Sequence, residues 1–143
     1  MDNKIKILKI DEDAQLPEYS MECDVALDIR ANETLTINSM EQKEIRTGIA
    51  IEIPAGHIGL IRDRVGVVTK LGTHVIAGTI DPSYRGELTI IMINFAMDSI
   101  EIEEGMRIAQ LVVVPVNKLS VEEVNSLSES KRTGKKFGST GMK

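Results

Sequence analysis

Residues 87–95 read ELTIIMINF. Side chains along a strand alternate between its two faces, which puts Leu88, Ile90 and Met92 on one side and Thr89, Ile91 and Ile93 on the other. The inner part, TIIMI, is apolar on both faces, short and rich in β-branched residues, so it reads as a strand lying where two sheets meet. A second run, LVVVPV at 111–116, has the same character. Outward from these two, KIKILKI, VALDIRA, TLTIN, EIRTGIAIEIP, HIGLIRD and SIEIEEG alternate apolar and polar residues over short spans. The clusters PAGH, DPSYRG and EEGM punctuate them. Many short strands at this spacing, without alternating long helical patterns, predict an all-β sandwich, barrel or jelly roll. One segment, LSVEEVNSLS at 119–128, predicts a short helix, with Ser120 as its cap and Glu123 closing a capping box.

The 143 residues suit one domain with a sizeable core. Hydrophobic residues make up 42% but aromatics only 3%, so that core must be aliphatic, and each aromatic outside a strand pattern needs a reason. A net charge of −5 argues against broad nucleic-acid binding, which needs a basic face. A polyanionic ligand would have to be held by local cations, backbone N–H groups or a metal. Cys23 is the single cysteine, so no internal disulfide forms; it reads as a small buried hydrophobe in a reducing compartment. The opening residues alternate and lack a signal-peptide core, and no apolar run is long enough to span a bilayer. The expectation is a soluble, cytoplasmic chain without membrane or nucleic-acid partners. His57 and His74, the only histidines, are too poorly accompanied for a zinc site.

Chemistry concentrates in a few stretches. In AGTIDPSYRGEL, residues 77–88, one apolar strand enters and another leaves. DPSYRG has turn composition, with Pro82 presetting φ and Gly86 free to take positive φ, which predicts Asp81 and Tyr84 at the tip of a β-hairpin. Asp81 as a mere turn opener leaves Tyr84 unexplained. RDRVGVV at 62–68 reads most simply as a solvated charge cluster. GMRIAQL sets Arg107 and Gln110 on an apolar strand, where they must face solvent, a partner subunit or a ligand. Asp28 in VALDIRA is a carboxylate in an apolar strand, costly unless paired.

In order, LDIRA, RDRVG, AGTIDPSYRGE, GMRIAQL and RTGKKFGSTG resemble the five motifs of the deoxyuridine triphosphatase (dUTPase) family, of its trimeric type, from about Asp24 to Gly141. The resemblance implies a jelly-roll-like fold, with residues 1–128 as the β domain and 129–143 as a flexible arm closing over the site. It implies hydrolysis of dUTP to dUMP and pyrophosphate, with Asp81 activating the water and Tyr84 packing beneath the deoxyribose. The backbone of Gly78, Thr79, Ile80 and Asp81 would read uracil. Arg64, the second-motif position Val65, the backbone at Gly66 and Gln110 would form the phosphate region. Asp28 would hold Mg2+ through water. From the arm, Phe137 would stack on uracil, Arg132 would pair with the γ-phosphate, and Gly138, Ser139 and Thr140 would complete the closure. The type further implies a homotrimer with shared sites.

The sequence departs from the pattern at Val65, where the family carries a serine. Losing one charge-assisted hydrogen bond costs about 10²-fold in turnover. Ala26, Met106, Thr133, Lys135 and Lys136 are lesser departures. Two rival readings follow from the same resemblance. A catalytically weakened nucleotide-sensing or protein-binding homologue fits Val65. A dCTP deaminase requires a glutamate where Ile91 stands, and isoleucine cannot shuttle protons.

Overall fold

A computed structural model describes residues 4–130. Ten strands and one helix follow in order: β1 (Lys6–Lys9), β2 (Leu27–Arg30), β3 (Leu35–Ile37), β4 (Gln42–Glu52), β5 (His57–Asp63), α1 (Val65–Leu71), β6 (Thr73–Val75), β7 (Thr79–Ile80), β8 (Glu87–Asn94), β9 (Ile100–Ile102) and β10 (Arg107–Pro115). Two four-stranded sheets, in the orders β1-β4-β8-β6 and β2-β10-β5-β7, are accompanied by a β3-β9 ribbon. The pairings are antiparallel. This is the all-β architecture that the strand pattern predicts, in the jelly-roll-like form that the family resemblance implies.

Alternation explains the core. Leu88, Ile90 and Met92 of β8 are fully buried. They merge with Ile45 and Ile51 of β4, Ile29 of β2, Ile61 of β5 and Leu111 of β10 into one aliphatic cluster. Each such side chain contributes about 1.5–3 kcal/mol through the area it removes from water. Among the described residues no aromatic belongs to this cluster, and Tyr19, Tyr84 and Phe95 are all substantially exposed. The second face of β8 is only half-buried at Ile91 and Ile93, so the both-faces reading of TIIMI overstates its burial within one chain.

The helix lies elsewhere than the sequence predicts. Residues 119–128 are irregular and exposed, with Val121 wholly in solvent. An isolated helix of this length is marginal in water, and the segment's apolar residues find no core to pack on. The helix that forms, α1, is one its β-branched, glycine-containing sequence disfavours. It is held by the burial of Val67 and ended by Gly72 in the left-handed conformation, whose N–H bonds the Val68 carbonyl. Cys23 is exposed, not buried, because it sits in a surface turn where Asp24 N–H donates to Met21 O. Among the described residues no helix is long and apolar enough to cross a membrane.

The DPSYRG stretch is not a simple hairpin tip. β6 pairs with β8, and Ile76 N–H donates to Ile91 O just beyond that ladder. Residues 77–86 leave this pair, and β7 within them is captured by β5 of the opposite sheet. Asp81 therefore sits where the chain crosses between sheets, in a turn closed by Tyr84 N–H on Asp81 O at 3.1 Å.

Candidate active site

The crossing builds an apolar cleft of 240 Å³ whose wall carries Gly78, Thr79, Ile80, Asp81 and Tyr84 over a floor of core residues such as Ile90. Gly78 has φ +100, and a Cβ there would lie 2.8 Å from the Cβ of Ile61. Only glycine lets this backbone lie against β5, where Ile61 N–H donates to Gly78 O at 2.8 Å. Tyr84 donates its hydroxyl to Glu87 O at 2.7 Å, fixing the ring across the turn. Gly86 does not adopt positive φ as expected. Its role is room: a Cβ would lie 2.7 Å from the Tyr84 hydroxyl oxygen. Arg85 closes the turn with bonds to Pro82 O and Tyr84 O. Asp81 is exposed at the mouth, and none of the hydrogen bonds or ion pairs of the described residues engages its carboxylate.

A second cleft, of 380 Å³, collects Asp28, Arg64, Val65, Gly66 and Gln110, together with Ser20 and Asp24. Asp28 and Gln110 face each other in register across β2 and β10. The carboxylate of Asp28 is buried, but not alone. Arg64 Nε donates to its Oδ1 at 2.7 Å, while Ser20 Oγ (2.6 Å) and Arg107 Nη1 (3.3 Å) donate to Oδ2. Burial pushes its pKa up, yet the Ser20 bond, the charge of Arg64 and the hydrogen bonds from Arg107 and Arg64 outweigh that and hold it below the usual aspartate value. Gln110 Nε2 donates to Asp63 O at 2.7 Å, which turns the amide along the cleft wall. A Cβ on Gly66 would meet nothing within 4 Å, so the backbone there is open to a ligand. Val65 is 76% exposed in the same wall and offers no hydroxyl.

These placements correct the reading of RDRVG as a solvated charge cluster. Asp63 ties three elements together, accepting from Val75 N–H, from the imidazole of His74 and, through its carbonyl, from Gln110. Ser20 escaped sequence reasoning entirely. It lies in a turn with no periodic signal, and only the fold brings it to Asp28. The two clefts share no lining residue. Arg132, Phe137, Gly138, Ser139 and Thr140 fall outside the described residues.

The all-β fold thus presents a free carboxylate over an apolar cleft and an arginine-braced carboxylate in a second. The family model described as dUTPase matches residues 12–141. Deoxyuridine 5'-triphosphate nucleotidohydrolase of Clostridium tetani is 46% identical over 140 residues, covering 96% of this chain and 95% of its own. That of Crocosphaera subtropica is 43% identical, covering 97% and 99%. Among solved structures, the Staphylococcus bacteriophage 80alpha dUTPase G164S mutant with dUpNHpp superposes with a TM-score of 0.92 at 30% identity, over 97% of this chain and 99% of that one. The chain belongs to the dUTPase family.

Proposed function

We propose that this protein hydrolyses dUTP to dUMP and pyrophosphate. Family membership supports the reaction, and the unbonded Asp81 carboxylate at the mouth of the apolar cleft carries the mechanism. Uracil and deoxyribose occupy that cleft, with the ribose over Tyr84. One acceptor position of the Gly78 carbonyl is taken by Ile61, so the remaining backbone groups of residues 78–81 read the base. Cytosine reverses that donor pattern and leaves buried polar groups unpaired, a penalty of several orders of magnitude. Asp81 orients a water and accepts its proton as the water attacks the α-phosphorus in line, and pyrophosphate departs with the developing charge.

The phosphates lie in the second cleft, against the open backbone at Gly66 and the amide of Gln110. Asp28 and Asp24 give that cleft two carboxylates, and Asp28 Oδ1 keeps an acceptor position beside its bond from Arg64. Such a set fits Mg2+, which keeps several of its waters and takes few protein ligands. When bound, Mg2+ would neutralise phosphate charge, with Asp28 gripping its waters. In this reading the two clefts are brought together between copies, as the family resemblance implies. The proposed assembly is a homotrimer with residues 129–143 as the closing arm, Phe137 on the base and Arg132 on the γ-phosphate.

The test is an assay with Mg2+ and dUTP, dCTP, dTTP or UTP, following pyrophosphate and ammonia together. Pyrophosphate from dUTP alone supports the proposal; comparable release from all four, or ammonia, overturns it. Val65 favours a second reading, a weakened nucleotide-sensing homologue. That reading predicts tight binding of a non-cleavable dUTP analogue with negligible turnover.

A further inference from the structure

We propose a separate anion site, selective for free diphosphate, in a third cleft that adjoins the second through Arg64 and Gly66. This cleft measures 490 Å³ and is walled by Arg30, Arg64, Lys70 and Arg107 over Val67 and Met106. The cations come from four places: Arg30 ends β2, Arg64 precedes α1, Lys70 lies in the last turn of α1, and Arg107 opens β10.

The charges do not cancel. Arg30 pairs with Glu18, while Arg64 and Arg107 share Asp28. Lys70 has no hydrogen bond or ion pair among the described residues. Four cations against two carboxylates leave two positive charges in one cleft, in a chain whose net charge is −5. Concentrated like charge raises the local potential and draws a counter-anion. The ammonium of Lys70, in the last turn of α1, complements the helix C-terminus and is left open to a further anion.

Donor geometry narrows the anion. Existing bonds engage Nη1 and Nη2 of Arg30, Nε and Nη1 of Arg64, and Nη1 of Arg107. Nη2 of Arg64 and both Nε and Nη2 of Arg107 keep their donors, so the free fork of Arg107 and the point charge of Lys70 suit an anion with oxygens at both ends. A free diphosphate supplies that. Among the described residues no aromatic side chain lines the cleft to stack a base, which disfavours the phosphate tail of a second nucleotide. The charge count and donor set carry this site whether or not the chain turns over dUTP.

The experiment is isothermal titration of magnesium-free pyrophosphate into protein already saturated with an α,β-imido analogue of dUTP, so that the reaction site is filled. Analogue binding is measured first in the same cell, and its failure would bear on the proposed function alone. The expected result is one diphosphate per chain, weakened about 10-fold in Lys70→Ala, which deletes one charged donor, and further in Lys70→Glu. Binding should also weaken steeply with added salt. Turnover of dUTP in Lys70→Ala should stay at the wild-type value. The site is overturned if saturated wild-type protein binds no diphosphate, if both Lys70 variants bind it as well as wild type, or if ADP competes there more tightly than pyrophosphate.

Discussion

Ser20→Ala tests how Asp28 is held. The carboxylate is buried and accepts from Ser20, Arg64 and Arg107, the Ser20 bond being the shortest at 2.6 Å. Ser20 also accepts from Arg107 Nη1 at 3.0 Å, so the substitution removes one donor to a charged group and one acceptor from an arginine. A hydrogen bond to a charged partner contributes about 1.5–3 kcal/mol, and that is the stability loss expected at pH 7. The loss should depend on pH with a definite sign. Asp28 has its pKa depressed in the folded chain, so the stabilisation is fully present above its unfolded value and fades as pH falls through the lower folded one. Wild type and variant should therefore differ by a constant amount above about pH 4, the ordinary aspartate range, and converge below it. Urea unfolding at matched protein concentration, in steps from pH 7 to pH 2.5, measures this directly. A difference under about 0.5 kcal/mol at pH 7, or one unchanged at pH 2.5, would refute the assignment of Ser20 as a partner of the ionised carboxylate.

Three other substitutions probe the clefts. Gly78→Ala places a Cβ against Ile61 at positive φ, and should cost about 1–3 kcal/mol in thermal or urea unfolding together with most dUTP turnover. Gly86→Ala pushes on the Tyr84 hydroxyl, and should lower kcat/KM for dUTP while raising UTP hydrolysis relative to it. Val65→Ser restores a hydroxyl in the phosphate cleft and should raise kcat by about 10-fold to 10²-fold with little change in KM, read in a steady-state pyrophosphate assay.

The strands and the aliphatic core were legible because both rest on periodicity and composition, which are local. Leu88, Ile90 and Met92 announce their buried face by alternation alone. The helix was not legible. The 119–128 segment carries good helical signals but has no surface to pack on, whereas α1 carries poor signals and is held by Val67 and the Gly72 cap. Propensity lost to tertiary context in both places. Asp28 shows the limit for the site. Its position in an apolar strand says that it needs partners, but Ser20, Arg64 and Arg107 reach it only through the fold. The same is true of DPSYRG, where turn composition was plain and the capture of β7 by the opposite sheet was not. Cys23 misled because burial statistics for cysteine say nothing about one placed in a surface turn.

Asp81→Asn is the most direct probe of the central claim, that this carboxylate takes the proton from the attacking water. Single-turnover pyrophosphate release from dUTP, measured beside the affinity for the non-cleavable analogue, separates chemistry from binding. The account predicts release slower by about 10²–10⁴-fold, the usual worth of a general base, with analogue affinity within a few-fold of wild type. Wild-type release from the variant would contradict it.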